Sequence, residues 1–194
     1  MTAKGTEETW TGVHLMGTTT RLREFRASDG PAAHRIVGDD RVTHFLSFDS
    51  RDEAAAQAMV DGAVQRARSL PRNEYYLAIT RTDDDSLIGF CRLALSGVQA
   101  AKLGYAVAAD CWGRGFASDA VSTMLDFAFA NLELHRVTAA IGPDNPASQR
   151  VVDRLGFKQE GVLRDHVFTN GAWRDSVLYS ILRSEWTKGR SHVD

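Results

Sequence analysis

Three strand-like segments follow one another closely in the middle of the chain, Tyr75–Thr80, Leu87–Leu95 and Lys102–Val107. Their spacing constrains the fold more than any other feature. The first break is the polar run Asp83-Asp84-Asp85-Ser86, and the second is a similarly short loop. Connections of that length close hairpins, whereas a parallel crossover needs roughly a dozen residues or more. A pure βαβ alternation is therefore excluded, and the middle of the sheet is expected to be antiparallel.

Helical patterns flank this meander. Upstream, a strand is expected over Thr18–Phe25, and Ser28-Asp29-Gly30-Pro31 starts a short helix running to Val37. Ser50-Arg51-Asp52-Glu53 has the form of a capping box, in which Ser50 caps and Glu53 reaches back. Behind it Ala56, Met59, Val60, Ala63, Val64 and Ala67 recur at helical spacing and stop before Pro71. Downstream, Ala117, Ala120, Val121, Met124, Leu125, Ala128 and Leu132 form the stripe of one long helix, and His135–Ile141 reads as a strand. Asn145 then caps a helix with Pro146 at its first position and Gly156 as its stop. Asn170-Gly171 marks a hairpin between two closing strands. The expected class is α/β of the α+β kind, a single domain with a mixed, mostly antiparallel sheet flanked by helices. Residues 1–17 read as an N-terminal tail with Trp10, Val13 and Leu15 as docking residues. Residues 18–188 are the expected domain, and 189–194 a C-terminal tail.

Composition limits the function. With 194 residues, 43% of them hydrophobic, the chain can bury a core without disulfides or a structural metal. Lys and Arg number 23 against 25 Asp and Glu, so no overall charge favours nucleic acid as a partner. Cys91 and Cys111 are too few and too far apart for a zinc cluster or a disulfide framework, and no metal is expected. No run approaches the ~18 apolar residues of a membrane helix, so no membrane partner is expected. The N-terminus carries Glu7 and Glu8 and lacks a secretory signal. The expected location is cytoplasmic.

The chemistry concentrates at Trp112-Gly113-Arg114-Gly115-Phe116-Ala117, between a strand and the long helix. Two glycines let the backbone curl, and a helix start offers unpaired N–H donors with the positive end of its dipole. Such a junction suits a phosphate or pyrophosphate; its plainer reading is a tight turn before a helix. A Walker A loop would need a Gly-Lys-Ser/Thr that is missing. A Rossmann fingerprint would need Gly or Ala where Ser118 stands, after the first strand of a βαβ unit.

The run Leu103-Gly104-Tyr105-Ala106-Val107 through Trp112–Ala120 resembles motif A of the GNAT superfamily of N-acetyltransferases. Asn145-Pro146-Ala147-Ser148, leading to Arg154-Leu155-Gly156-Phe157, is similar to its motif B. Thr20-Arg21-Leu22-Arg23, Glu160–Arg164 and Trp173–Tyr179 resemble the Rim-type branch, which acetylates ribosomal-protein N-termini. The likeness spans roughly Thr18 to Trp186.

This resemblance implies acetyl-CoA as the acetyl donor, with coenzyme A as product. Trp112, Gly113, Arg114, Gly115, Phe116 and Ala117 would hold the pyrophosphate. Ala106, Val107 and Ala108 would pair with the pantetheine arm, and Asn145 would touch it. Ser148 stands where a Rim-type serine protonates the departing thiolate. The position of the tyrosine acid used by many relatives is Val152, and that of their glutamate base is Lys102. Asn145 is also an ordinary helix cap, and Ser148 an ordinary first-turn serine. Cys111 adjoins the loop, with no neighbour in sequence to activate a thiolate.

The acceptor is expected to be a primary amine that attacks the thioester directly. A peptide α-amine, with a pKa of about 7.7–8.0, is partly neutral where a lysine, near 10.4, is almost wholly charged. A site without a strong base therefore suits a protein or peptide N-terminus. The alternatives are a small-molecule amine (antibiotic, polyamine or amino-sugar) and a non-catalytic acetyl-CoA-binding module. Acceptor contacts are expected from His44, Phe45 and Phe48 in one loop and His166, Phe168 and Trp173 in the closing hairpin, or else these aromatics close the core or a homodimer contact. Arg164 and Asp175 are placed to pair across that hairpin.

Overall fold

A computed structural model describes residues 12–190 of the chain, in which eight strands make one sheet. These are β1 (His14–Met16), β2 (Thr20–Glu24), β3 (Glu74–Arg81), β4 (Leu87–Leu95), β5 (Ala100–Val107), β6 (Arg136–Ile141), β7 (Lys158–Thr169) and β8 (Ala172–Leu182). Their order is β1-β2-β3-β4-β5-β6-β8-β7. Every neighbouring pair is antiparallel except β5 and β6. The short breaks of the central meander thus close hairpins, and its one parallel neighbour comes after a helical crossover, α4 (Phe116–Asp126).

Side-chain alternation along β3 sorts the core onto two faces. Tyr76 and Ala78 pack with Ile36 of α1 (Gly30–Val37) and Val60 of α3 (Glu53–Ala67). Leu77 and Ile79 turn the other way, into the cluster holding Val121, Met124 and Leu125 of α4 and Val152 of α5 (Pro146–Arg154). Because both faces are covered, these strands read as near-continuous apolar runs. The short α2 (Asp40–Thr43) and the terminal α6 (Arg183–Arg190) complete the helices. Among the described residues, no helix is long and apolar enough to cross a membrane.

The structure moves several expected boundaries. His14–Met16 pair with β2, so the sheet begins inside the expected tail. Val13 and Leu15 pack against the core, while Trp10 lies outside the described residues. The join is secured by Asp119 of α4, whose carboxylate accepts the backbone N–H groups of Thr18, Thr19 and Thr20 and the Thr20 hydroxyl. At the other end, α6 runs to Arg190, past the expected domain end. Asp52, not Ser50, caps α3, accepting the Ala55 N–H at 2.8 Å. Ser50 is drawn to the Asp40 carboxylate and the Thr43 hydroxyl instead. The single long helix ends its α-helical part at Asp126 and continues as a π-helical turn over Phe127–Asn131.

Candidate active site

The sheet opens at its parallel pair. β5 and β6 are in register only from Ala100 to Leu103, opposite Arg136 to Ala139. Beyond Leu103, β5 keeps β4 on its other side and β6 keeps β8. A cavity of about 480 Å³ lies in the resulting gap, lined by Leu103–Val107 and by Ala139, Ala140 and Ile141.

The glycine loop closes one end of this cavity. Gly113 and Gly115 have φ of 75° and 82°, a region that L-residues enter only with strain, and a Cβ built on either would meet nothing within 4 Å. Gly115 is the N-cap of α4 and supplies no side chain to cap it. The first intrahelical bond runs from Asp119 N–H to Gly115 O, so the amides of Phe116, Ala117 and Ser118 precede it as free helix-start donors. Trp112 donates its indole N–H to Val107 O at 2.7 Å, which pins the loop to the end of β5.

The other wall is the start of α5. Asn145 Oδ1 accepts Ser148 N–H at 3.0 Å, so it does cap the helix. Ser148 Oγ lies 2.6 Å from the Tyr105 phenol oxygen, and Tyr105 comes from the free end of β5. Burial holds the phenol above its ordinary pKa, with the Ser148 hydrogen bond pulling the other way. Arg150 and Arg154, one helical turn apart, also line the cavity and bring positive charge to it. Among the described residues, the lining contains no carboxylate and no imidazole.

Most residues expected at the cofactor share this cavity: Ala106, Val107, Trp112, Gly113, Gly115, Phe116, Ala117, Asn145 and Ser148 all line it. Ala108 and Arg114 do not. Ala108 donates its N–H to Ile88 O and packs on the α1–α3 side, and the Arg114 side chain stands exposed on the loop. Cys111 lines the cavity half-buried. Val152 is fully buried in the core and cannot reach the space, and Lys102 is exposed on β5. Tyr105, Arg150 and Arg154 were missed as functional candidates. Tyr105 and Arg154 stand in the two quoted motifs, the one signal that could have found them.

The acceptor residues are scattered. Only Phe45 lines the cavity, with its ring 6.4 Å from that of Trp112. His44 turns away, its Nε2 3.3 Å from Asp144 Oδ2. Phe48 packs toward the α1–α3 core beneath the Arg51 guanidinium. His166 is tied to Ser176 Oγ at 3.0 Å, and Phe168 and Trp173 meet edge to face at the exposed hairpin tip. Asp175 accepts the Asp165 N–H, not the Arg164 guanidinium. Arg174 reaches across instead, donating to the carbonyl oxygens of Leu46, at 2.7 Å, and His44. It joins the hairpin to the loop that forms the cavity's edge. A small adjoining cavity, lined by Phe45, Asp144, Arg174 and Asp175, lies at this join.

Residues 20–158 match the family described as acetyltransferase (GNAT) domain. The uncharacterized N-acetyltransferase YoaA of Bacillus subtilis is 32% identical over 167 residues, covering 84% of this chain and 92% of YoaA. The [ribosomal protein uS5]-alanine N-acetyltransferase of Escherichia coli is 29% identical over 119 residues, 60% of this chain and 61% of its own length. Mycobacterium smegmatis RimJ, solved in complex with CoA-disulfide, superposes with a TM-score of 0.76 at 26% identity, covering 90% of this chain and 88% of RimJ. Strands that part over a glycine loop and a match through most of the sheet lead to one assignment: the chain belongs to the GNAT family and is an N-acetyltransferase.

Proposed function

We propose that the cavity binds acetyl-CoA and that the acceptor is the α-amine of a protein or peptide N-terminus. One observation carries the reading. A single cavity runs from the two-glycine loop along the unpaired end of β5 to Ser148, and among the described residues no carboxylate or imidazole base lines it. The site fits the donor in each of its parts. The loop leaves a cradle that side chains would fill, the free edge of β5 offers backbone partners to an amide-bearing arm, and Arg150 and Arg154 suit phosphates.

When bound, acetyl-CoA supplies the activated thioester. The residues of this chain do the rest by position. The amides of Phe116–Ser118 would hold the pyrophosphate, the free edge of β5 would hold the pantetheine arm, and Ser148 would meet the departing sulfur. Loop residues Phe45–Ser47 bound the side from which the amine enters. An α-amine needs no strong base to be partly neutral near pH 7.5, with a pKa of about 7.7–8.0. The E. coli relative, named as a [ribosomal protein uS5]-alanine N-acetyltransferase, is in keeping with a protein acceptor. A reducing, cytoplasmic setting agrees with two free cysteines.

The test follows free thiol with acetyl-CoA and an amine panel. Peptides with a free α-amine should release thiol, and N-blocked peptides bearing lysine should not. Release with lysine side chains or small amines alone, or with no amine at all, would overturn the proposal.

A further inference from the structure

We propose that Tyr105 is a positioning residue for Ser148, donating its phenolic hydrogen to Ser148 Oγ so that the serine hydrogen is left free to face the cavity. The proposal rests on the reading of Ser148 as the group that protonates the departing thiolate.

The geometry allows this assignment of hydrogens. The phenol oxygen lies 2.6 Å from Ser148 Oγ and 3.2 Å from Ser148 O. It has one hydrogen to give, and the proposal assigns it to the shorter contact, in which either oxygen can be the donor. The reverse arrangement would point the serine hydrogen at the phenol and keep it from any other partner. Both residues line the same cavity, and the Ser148 main chain is already held by Asn145 Oδ1 at 3.0 Å. Residue and side chain are thus fixed from two independent elements, α5 and β5. Burial keeps Tyr105 a protonated donor throughout the working pH range.

The proton count balances around this arrangement. A serine hydroxyl has one hydrogen and two lone pairs. Tyr105 occupies one lone pair. As the amine nitrogen bonds to the acetyl carbon, the carbon–sulfur bond breaks with its electron pair on sulfur. Ser148 passes its hydrogen to that sulfur and takes, on its remaining lone pair, the one the nitrogen loses. The serine ends as it began, and Tyr105 keeps its own proton. Net transfer from serine to sulfur alone would leave an alkoxide, a far stronger base than the thiolate. Accepting the amine proton in the same step avoids that cost. A hydroxyl held in one rotamer suits such a relay better than one free to rotate.

Tyr105→Phe keeps the ring and its packing and removes only the hydroxyl. Losing one neutral hydrogen bond should lower kcat about three- to tenfold. Ser148→Ala should lower it roughly 10- to 100-fold. The acetyl-CoA KM and the CoA Kd by calorimetry should stay unchanged in Tyr105→Phe, and in the Ser148→Ala background the tyrosine change should have no further effect. A second readout needs no turnover. In ligand-free protein labelled with carbon-13 at tyrosine Cζ, the resonance that Tyr105→Phe removes should shift in Ser148→Ala. Unchanged kcat in a folded Tyr105→Phe, losses that simply add in the double variant, or an unmoved resonance would each overturn the positioning role. Unchanged kcat in Ser148→Ala would overturn the serine's role as acid and this proposal with it.

Discussion

Replacing Gly115 by alanine probes the loop with a single methyl group. Gly115 has a φ of 82° with open space where a Cβ would stand, so the change introduces no clash within the protein. Its cost to the fold is backbone strain, on the order of 1–2 kcal/mol for an L-residue in the left-handed region. In a chain of this size each 1 kcal/mol lowers Tm by roughly 2–4 °C, so a fall of roughly 2–8 °C is expected. The cost to binding is separate. The methyl stands next to the free amides of Phe116, Ala117 and Ser118. Losing one charge-assisted hydrogen bond to a phosphate costs about 1.5–3 kcal/mol, or ~10- to 150-fold in Kd. Titration calorimetry with CoA and a thermal melt measure the two effects side by side. Gly171→Ala is the control, since Gly171 has a φ of 73° at the hairpin tip with equally open space and lies outside the cavity. It should show the strain without the loss of affinity. If Gly115→Ala bound CoA as the wild type does while its Tm fell as the control's does, the pyrophosphate would not lie on this loop.

Two further outcomes are expected. Phe45→Ala should raise the acceptor KM several-fold and leave CoA affinity unchanged, whereas Phe168→Ala, at the exposed hairpin tip, should leave both unchanged; equal effects in steady-state kinetics would refute the placement of the acceptor edge. Burial would raise the Asp119 carboxyl pKa, but hydrogen bonds from Thr20, Thr19 and Thr18 outweigh it and hold the group below its usual range. Its stabilisation is therefore complete above the unfolded-state pKa of about 3.9 and is lost as pH falls through the lower folded value. Asp119→Asn should lower Tm at neutral pH, and melts in increasingly acid buffer should show the gap to wild type closing; a gap of constant size would refute it.

Legibility in the sequence follows the range of each interaction. Asn145, Pro146 and Gly156 act within one helix, so cap, first turn and stop are readable from spacing alone. The glycine loop is equally local, since its φ values and helix start need no distant residue. The cap of α3 is different. Ser50 and Asp52 both suit it, and the choice is made by Asp40 and Thr43, which claim Ser50 from another helix. The facing of the hairpin side chains is hidden for a related reason. The pairing of β7 with β8 shifts between Leu163 and Val167, where Asp165 has a φ of 47°. An irregularity there breaks the alternation from which the facing of His166 and Phe168 would be read. The contact of Tyr105 with Ser148 joins β5 to α5, and no periodicity reports a contact of that kind.

The gap between β5 and β6 ties the fold to the function, and its backbone can be tested directly. β4 pairs with β5 along its length, and Ala108 N–H reaches Ile88 O. In an antiparallel ladder the residues that bond a given neighbour alternate. Counting back from Ala108, the amides of Ala106 and Gly104 point to β4, so those of Val107 and Tyr105 point to the gap. Val107 O is taken by the Trp112 indole, which leaves the two N–H groups without a strand to pair with. An amide-bearing arm laid in the gap would occupy them as a missing strand would. Hydrogen exchange should therefore be fast at Tyr105 and Val107 and slow at Gly104 and Ala106 in the free protein. CoA should slow the first pair. Adenosine 3′,5′-bisphosphate, which lacks the pantetheine arm, should leave that pair fast. Protection of Tyr105 and Val107 by the bisphosphate as strongly as by CoA would show that the arm lies elsewhere and that the gap closes by a general tightening of the sheet.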